Sequence, residues 1–171
     1  MTGGQIFTAP TAAFLAEHYR HADRQVFYDH GGDDAQRHYA WFGAAYVQPN
    51  PAQHLAWVDI VVADPTSRTV YQIVEIEDSS ARPKTILADL MAVLLGDGLA
   101  FGGHVDWQIG AWMTFFVCVY AKAGTAPTRL AYLHQQVTQL QPCLQTRNAA
   151  IGRIVLATFQ NQTELIQQLA S

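Results

Sequence analysis

Lysine, cysteine and charge in general are scarce in this sequence. Lys84 and Lys122 are the only lysines among 171 residues, 14% of residues are charged, and the formal net charge is −4. Proteins that hold long stretches of nucleic acid usually carry an excess of basic residues. The composition therefore argues against an extended electrostatic surface for nucleic acid, and any phosphate contacts must come from a few local arginines.

Two further scarcities narrow the class of protein. Cys118 and Cys143 are the only cysteines and lack the spacing of metal ligands, which is typical of buried thiols in a reducing compartment, so we expect a cytoplasmic location. The nearly all-apolar run at 113–121 is too short to span a bilayer, so we expect no membrane partner. Apolar residues, by contrast, make up 50% of the chain, and the length predicts one domain over residues 1–171.

Apolar periodicity and turn residues predict the secondary structure. The predicted helices cover residues 11–22, 83–95 and 127–140, and the predicted strands cover 39–47, 56–63, 69–77, 113–121 and 151–159. Thr11 is placed to cap the first helix, and Asn161 and Glu164 are spaced like a capping box before a last short helix. The turn signal at 64–67 predicts an antiparallel hairpin of the strands on either side. This order predicts an α/β fold with a mixed central sheet flanked by helices.

Three carboxylates lie in two strands that are otherwise largely apolar. Because side chains alternate along a strand, Glu75 and Glu77 share a face. The hairpin brings Asp59 to the same face if Asp59 pairs with Glu75 or with a residue an even number of positions from it. Crowded carboxylates repel one another and resist burial, and a hard divalent cation such as Mg²⁺ or Mn²⁺ relieves both penalties. The pattern therefore predicts a metal site able to support hydrolysis of a phosphodiester.

Simpler interpretations stand beside each of these assignments. Glu75 and Glu77 could belong to a strand face that meets solvent, and Asp59 could be a buried carboxylate paired with an arginine. Arg82 is placed either to bind a substrate phosphate or to pair with Asp78. Lys84 is either a catalytic cation or a solvated residue in the first turn of a helix.

The stretch from Asp59 to Lys84 resembles the acidic motif of the PD-(D/E)XK, or restriction-endonuclease-like, nuclease superfamily. The resemblance implies an αβββαβ core with the acidic motif on its second and third strands. It also implies that Asp59, Glu75 and the main-chain carbonyl of Ile76 bind metal. Glu77 stands where most members of the superfamily have lysine, although some restriction enzymes have glutamate at that position.

The resemblance extends to residues outside the two strands. Lys84, at the start of the following helix, would supply the missing cation if its side chain folds back, and Glu17 resembles an auxiliary acidic residue of the first helix. The implied activity is a Mg²⁺- or Mn²⁺-dependent endonuclease acting on nucleic acid, DNA in the first place, and leaving a 5′ phosphate and a 3′ hydroxyl. Cutting both strands of a duplex would need two copies, so we expect a homodimer.

Two other functions remain open on the sequence alone. The missing lysine and the acidic charge favour a catalytically inactive nuclease-fold protein that acts as a partner-binding or assembly module. A third possibility is an α/β assembly protein with no metal site. Convergence of Asp59, Glu75 and Glu77 within reach of one ion would distinguish the first function from the second.

Overall fold

The computed structural model describes the chain at residues 3–29, 40–42, 57–78, 99–101, 104–121, 127–147 and 151–170. Its helices within these ranges are α1 (Gly3–His18), α2 (Pro127–Arg147) and α3 (Gln162–Leu169). Its strands within the same ranges are β1 (Gln25–Tyr28), β2 (Ala40–Phe42), β3 (Trp57–Val58), β4 (Ile60–Asp64), β5 (Thr69–Asp78), β6 (Leu99–Phe101), β7 (His104–Tyr120) and β8 (Ile151–Phe159).

The strands form a curled mixed sheet organised around the long strand β7. β1, β4 and β5 are antiparallel neighbours, and β5, β7 and β8 are parallel neighbours. The first part of β7 pairs instead with β6, which continues through β2 to β3. β3 and β4 are separated in sequence only by Asp59. At this residue the chain passes from β3, which pairs with β2 at one end of the strand order, to β4, which lies between β1 and β5.

Helices cover both faces of the sheet, and each face has its own apolar cluster. The cluster that includes α2 contains Leu133, Val137, Val61 and Ile73. The cluster that includes α1 and α3 contains Leu15, Leu165, Ile60 and Val74. Neighbouring residues of one strand fall in different clusters because successive side chains point to opposite faces. The predicted mixed α/β fold with flanking helices is therefore confirmed for the described residues.

The first helix differs from its prediction at both ends. It begins at Gly3 rather than Thr11 and ends at His18, with Pro10 inside it. Thr11 is fully buried in mid-helix and its hydroxyl accepts a hydrogen bond from the Gln162 side-chain amide at 3.1 Å, so its predicted role as the cap was wrong. A threonine before an apolar run can link two helices as well as cap one, and only the packing of α1 on α3 distinguishes the two roles.

Several strands also differ from prediction. The hairpin of β4 and β5 is confirmed, but the predicted strand at 56–63 is broken by a bend at Asp59. β7 begins nine residues before its predicted start at Met113 because Val105, Trp107 and Ile109 extend the alternation beyond the apolar run. β1 was missed, and it is β1 rather than β2 that pairs with β4.

The later elements follow the prediction more closely. β8 has the predicted bounds, and α2 begins as predicted but extends to Arg147, past Pro142. Asn161 caps α3 and accepts a hydrogen bond from the Glu164 main-chain N–H at 3.0 Å, which confirms the predicted cap. The predicted helix at 83–95 and most of the predicted strand at 39–47 lie outside the described residues.

No helix in the described part of the chain has both the length and the hydrophobicity needed to cross a bilayer.

Candidate carboxylate site

The β4–β5 hairpin brings Asp59 and Glu75 together. Ile60 pairs with Val74 in the ladder, which places Asp59 opposite Glu75 one step further along. The Asp59 main-chain N–H donates to Glu75 Oε2 at 3.4 Å, so the glutamate side chain reaches across to the neighbouring strand. Two of the three predicted carboxylates therefore meet at the open end of the hairpin.

The bend at Asp59 gives this residue a structural role. Asp59 Oδ2 accepts a hydrogen bond from the Ile76 main-chain N–H at 2.6 Å. Since Ile76 is only 4% exposed, its N–H needs a partner inside the protein, and the aspartate side chain supplies the acceptor at the point where β4 has not yet begun. The Asp59 carbonyl in turn accepts from the Asp29 N–H at 3.1 Å, just beyond β1.

The carboxylates differ in exposure. Glu75 is 5% exposed, whereas Asp59 and Glu77 are half-buried. Burial raises the pKa of the Cys118 thiol on β7, and the negative charges of Asp59 and Glu75 raise it further. Cys118 is therefore a protonated, buried thiol, as the sequence predicted, and it is not a nucleophile at neutral pH.

Glu77 lies further along β5 than this pair. Alternation places it on the same face as Ile73 and Glu75, and its register neighbour on β7 is Val119. Within the described residues, histidine, cysteine, aspartate and glutamate side chains do not assemble into a group of three able to hold a metal ion. A metal bound by Asp59, Glu75 and Glu77 thus stays a prediction, as does the Ile76 carbonyl as a further ligand.

The other predicted site residues lie apart from this pair or outside the described chain. Glu17 is on the exposed side of α1, where its carboxylate pairs with Arg20 at 2.8 Å. Since α1 packs on the face of the sheet that holds Ile76, Glu17 is not on the face to which alternation assigns Glu75. Arg82 and Lys84 lie outside the described residues, so their roles stay predictions.

Sequence reasoning missed a second polar region. A cleft of about 440 Å³ lies near the other end of β5, and its lining includes Arg24, Gln72, Trp112 and Arg153. These residues are far apart in sequence and form no motif. A usable signal was Gly152, a glycine inside an otherwise apolar strand, because such a residue often marks a close approach of backbones.

No family model, curated protein or solved structure matches this chain.

Proposed function

We propose that this protein is a metal-dependent endonuclease that hydrolyses phosphodiester bonds of nucleic acid, DNA in the first place. The observation that carries the proposal is the meeting of Asp59 and Glu75 on neighbouring strands at the open end of the β4–β5 hairpin. Carboxylate oxygens in such a pair are the donors that Mg²⁺ and Mn²⁺ prefer.

The order of elements gives the proposal its second support. β1, β4 and β5 follow α1 and form three adjacent antiparallel strands, and β7 then lies parallel to β5. Asp59 directly precedes the second of these three strands, and Glu75 lies on the third. This is the placement that a resemblance to the PD-(D/E)XK superfamily implies for its acidic motif, although β1 replaces the strand expected at 39–47.

In the proposed mechanism the chain's own residues hold the metal and the water. Asp59, Glu75, Glu77 and the Ile76 carbonyl would bind Mg²⁺ or Mn²⁺, which when bound would acidify a water and offset charge on the phosphoryl group. Glu77 would orient the attacking water. Arg82 would contact a substrate phosphate, and Lys84 is the alternative residue for positioning the water.

Assembly and location follow from the same proposal. One site per chain can cut one strand at a time, so double-strand cleavage would use a homodimer, and sedimentation or light scattering would show a dimer. A single monomeric species at all concentrations would contradict this part of the proposal. The expected location is the cytoplasm.

The deciding experiment is a cleavage assay on mixed DNA and RNA substrates with Mg²⁺, with Mn²⁺ and with a chelator. The parent should cleave only with metal, and Glu75→Gln should abolish cleavage because it removes a charged ligand while keeping the side-chain shape. Asp106→Asn is the matched control, since Asp106 is an exposed carboxylate paired with Arg68 on another part of the sheet. Equal loss in both variants would argue against the proposed site.

One observation favours the alternative of an inactive nuclease-fold protein that binds partners. Asp59 Oδ2 already accepts the Ile76 N–H, and the described residues contain no group of three metal-binding side chains. In this alternative the acidic residues hold the hairpin end together and bind no metal. A folded parent that cleaves neither DNA nor RNA with either metal would favour this function over the nuclease.

A further inference from the structure

Three neighbouring strands lose their regular register at the same level of the sheet. On β5, Tyr71 is the extra residue between the pairs Val62–Gln72 and Ala63–Val70 with β4. On β7, residues 110–113 lie between the positions that pair with Val70 and Gln72. The pairing of β7 with β8 shifts at the same place, next to Gly152. Bulges of this kind redirect side chains and are common beside binding sites.

The irregularity on β7 presents a tryptophan to solvent. Trp112 has φ of 69° and is 83% exposed, a costly backbone conformation for a bulky residue and an unusual exposure for a large apolar one. Close packing holds it there, because a Cβ on Gly152 would lie 2.6 Å from the Trp112 Cα. The main chain that carries the exposed indole is therefore held in place by its packing against β8.

The cleft beside Trp112 is positively charged, although the whole chain is acidic. Its lining contains Arg24 and Arg153 and no aspartate or glutamate. Arg20 and Arg68, in contrast, each pair with a carboxylate. Neither cleft arginine has a carboxylate partner within the described part of the chain, so both guanidinium groups can bind an anion from solution.

Arg24 is held in position by aromatic rings. Its guanidinium carbon lies 4.5 Å from the centre of the Tyr71 ring and 5.0 Å from that of the Tyr19 ring. Contact with two rings orders the arginine side chain, and its N–H groups can still donate hydrogen bonds to a ligand. The bulge at Tyr71 thus positions the arginine.

Gln72 supplies an independent indication of a ligand. This residue is 5% exposed and lines the cleft, and its Oε1 accepts a hydrogen bond from the Tyr19 hydroxyl at 2.9 Å. Its buried Nε2 has no acceptor within the residues that the structure describes. Buried amide donors are normally satisfied, so an acceptor atom of a ligand would complete this group.

We propose that this cleft, lined by Arg24, Arg153, Gln72 and Trp112, binds a nucleotide. Two guanidinium groups favour a phosphate, which they can bind through paired N–H donors, and Gln72 adds a neutral donor. The exposed indole offers a flat surface on which a base stacks. A volume of about 440 Å³ suits a ligand of this size.

The proposal does not rest on the nuclease activity. The cleft lies on the face of the sheet that α1 and α3 cover. Phe116 belongs to the apolar cluster of that face, and by alternation Thr114 on β7 and Gln72 on β5 point to the same face. Glu75 belongs by alternation to the opposite face, three residues further along β5. Binding can therefore be measured in a chelator, where failure of metal-dependent cleavage has no bearing on the result.

The test is calorimetric titration of the full chain with 5′-AMP, adenosine and inorganic phosphate in EDTA. We expect saturable binding of 5′-AMP, with weaker binding of adenosine and of phosphate because each uses part of the site. Arg24→Gln and Arg153→Gln should each weaken 5′-AMP binding about tenfold or more, the loss of a hydrogen bond to a charged group. Trp112→Ala should weaken 5′-AMP and adenosine but leave phosphate binding unchanged.

Arg20→Gln is the matched control, because it removes the same charge from an arginine that pairs with Glu17 outside the cleft. It should bind 5′-AMP as the parent does. Gln72→Glu is a second variant that keeps the acceptor for Tyr19 and places a carboxylate against the phosphate, and it should abolish binding while circular dichroism shows a folded protein. An absence of saturable 5′-AMP binding, or equal losses in Arg20→Gln and Arg24→Gln, would overturn the proposal.

The same chemistry could come from a free nucleotide or from the end of a nucleic-acid strand. Titration with a short 5′-phosphorylated oligonucleotide distinguishes these sources when its affinity is compared with that of 5′-AMP. The same strand with a 5′ hydroxyl is the control for contacts that do not involve the phosphate. Tighter binding of the phosphorylated strand than of 5′-AMP would identify a strand end, and tighter binding of 5′-AMP would identify a free nucleotide.

Discussion

The β4–β5 hairpin has carboxylates at its open end and, nearer its turn, borders a cleft lined by two arginines, and the two regions are built in different ways. At the open end, Asp59, Glu75 and Glu77 lie just beyond a stretch of the ladder that is regular from Ile60–Val74 to Val62–Gln72. Toward the turn, the ladder is interrupted at Tyr71 and a cleft lined by arginines opens on the other face. Regular pairing keeps the acidic residues in alternation, whereas the interruption assembles the basic cleft from distant parts of the chain.

The acidic end can be predicted from a local sequence pattern, whereas the basic cleft depends on long-range packing. Alternation on regular strands makes the acidic end a property of a short stretch of sequence, which can be read as a motif. The basic cleft depends on three bulged strands and on the segment between α1 and β1, so that Arg24 and Arg153 meet Trp112 only in the folded chain. The acidic end is thus the better place to test chemistry, and the basic cleft is the better place to test binding.

The largest expected effect is on the rate of cleavage, and it would sharpen the acidic side of the comparison. If Glu77 orients the attacking water, Glu77→Gln should lower the cleavage rate by about 10²–10⁴-fold, the usual worth of a positioned general base. Lys84→Ala should have a much smaller effect, because Glu77 shares the strand face of Glu75. Single-turnover cleavage with Mg²⁺, together with circular dichroism of both variants, is the measurement.

Two outcomes would break this assignment. A large loss in Lys84→Ala with little loss in Glu77→Gln would transfer the role to the lysine. Equal rates in both variants and the parent would exclude both residues as the base. Since neighbouring carboxylates raise the pKa of an acid and bound metal lowers it, activity should also rise with metal concentration more steeply at low pH than at high pH.

The next effect is on stability, and it tests whether the acidic end is also a structural device. Asp59→Ala removes the acceptor of the Ile76 N–H and leaves a buried donor unsatisfied, so the free energy of unfolding should fall by about 1–3 kcal/mol. Asp59→Asn keeps a side-chain oxygen in the same place and should lose clearly less. Urea unfolding in a chelator measures both variants against the parent.

Equal losses in the two Asp59 variants would show that the charge of the aspartate, rather than its acceptor oxygen, holds the bend. A neutral result for Asp59→Ala would remove the structural role altogether. In that case the hydrogen bond that the Ile76 N–H donates to Asp59 would not stabilise the fold, and the proposed metal site would be the remaining role of Asp59.

The parts of the fold that the sequence predicted are those in which one local pattern decides the structure. The hairpin, β8 and the Asn161 cap each depend on a turn, an apolar run or a cap within a few residues. β1 was not predicted because it is short. Its place beside β4 is decided by pairing with Val61 and Val62 across more than thirty residues of chain. Long-range pairing of this kind has no signature in a single sequence.

The candidate site follows the same division. The proximity of Asp59 and Glu75 was predictable from the hairpin and its register, and the hydrogen bond at 3.4 Å bears it out. The bend at Asp59 was not predictable, since Val58-Asp59-Ile60 reads as continuous strand and only the passage of the chain between parts of the sheet breaks it. The bulge that exposes Trp112 lies at the start of the apolar run at 113–121 and was not predicted from the sequence.

The smallest expected effect concerns a carboxylate at the turn of the hairpin, which serves as a reference for those at its open end. The Ser67 hydroxyl donates to Asp64 Oδ2 at 2.7 Å and the Thr66 N–H donates to Oδ1 at 2.7 Å. These hydrogen bonds, that of Ser67 first, hold the pKa of Asp64 below the ordinary value of an aspartate. Ser67→Ala should raise the pKa of Asp64 toward that value, as measured by NMR titration of its carboxyl carbon.

A lowered pKa means that folding favours the ionised form of Asp64. Its contribution to stability is therefore present above the pKa of the unfolded chain and is lost as the pH falls through the lower pKa of the folded state. In Ser67→Ala the pKa of Asp64 in the folded state should move closer to that of the unfolded chain, so the pH range over which this stability is lost should narrow. The pKa of Asp106, which is lowered by its hydrogen bond with Arg68, should not change in this variant and is the control. Mg²⁺ should leave the Asp64 titration unchanged and shift that of Glu75, because only the open end of the hairpin is proposed to bind metal. Equal responses of the two carboxylates to Mg²⁺ would mean that the ion acts on surface charge in general, and the distinction between the two ends would fail.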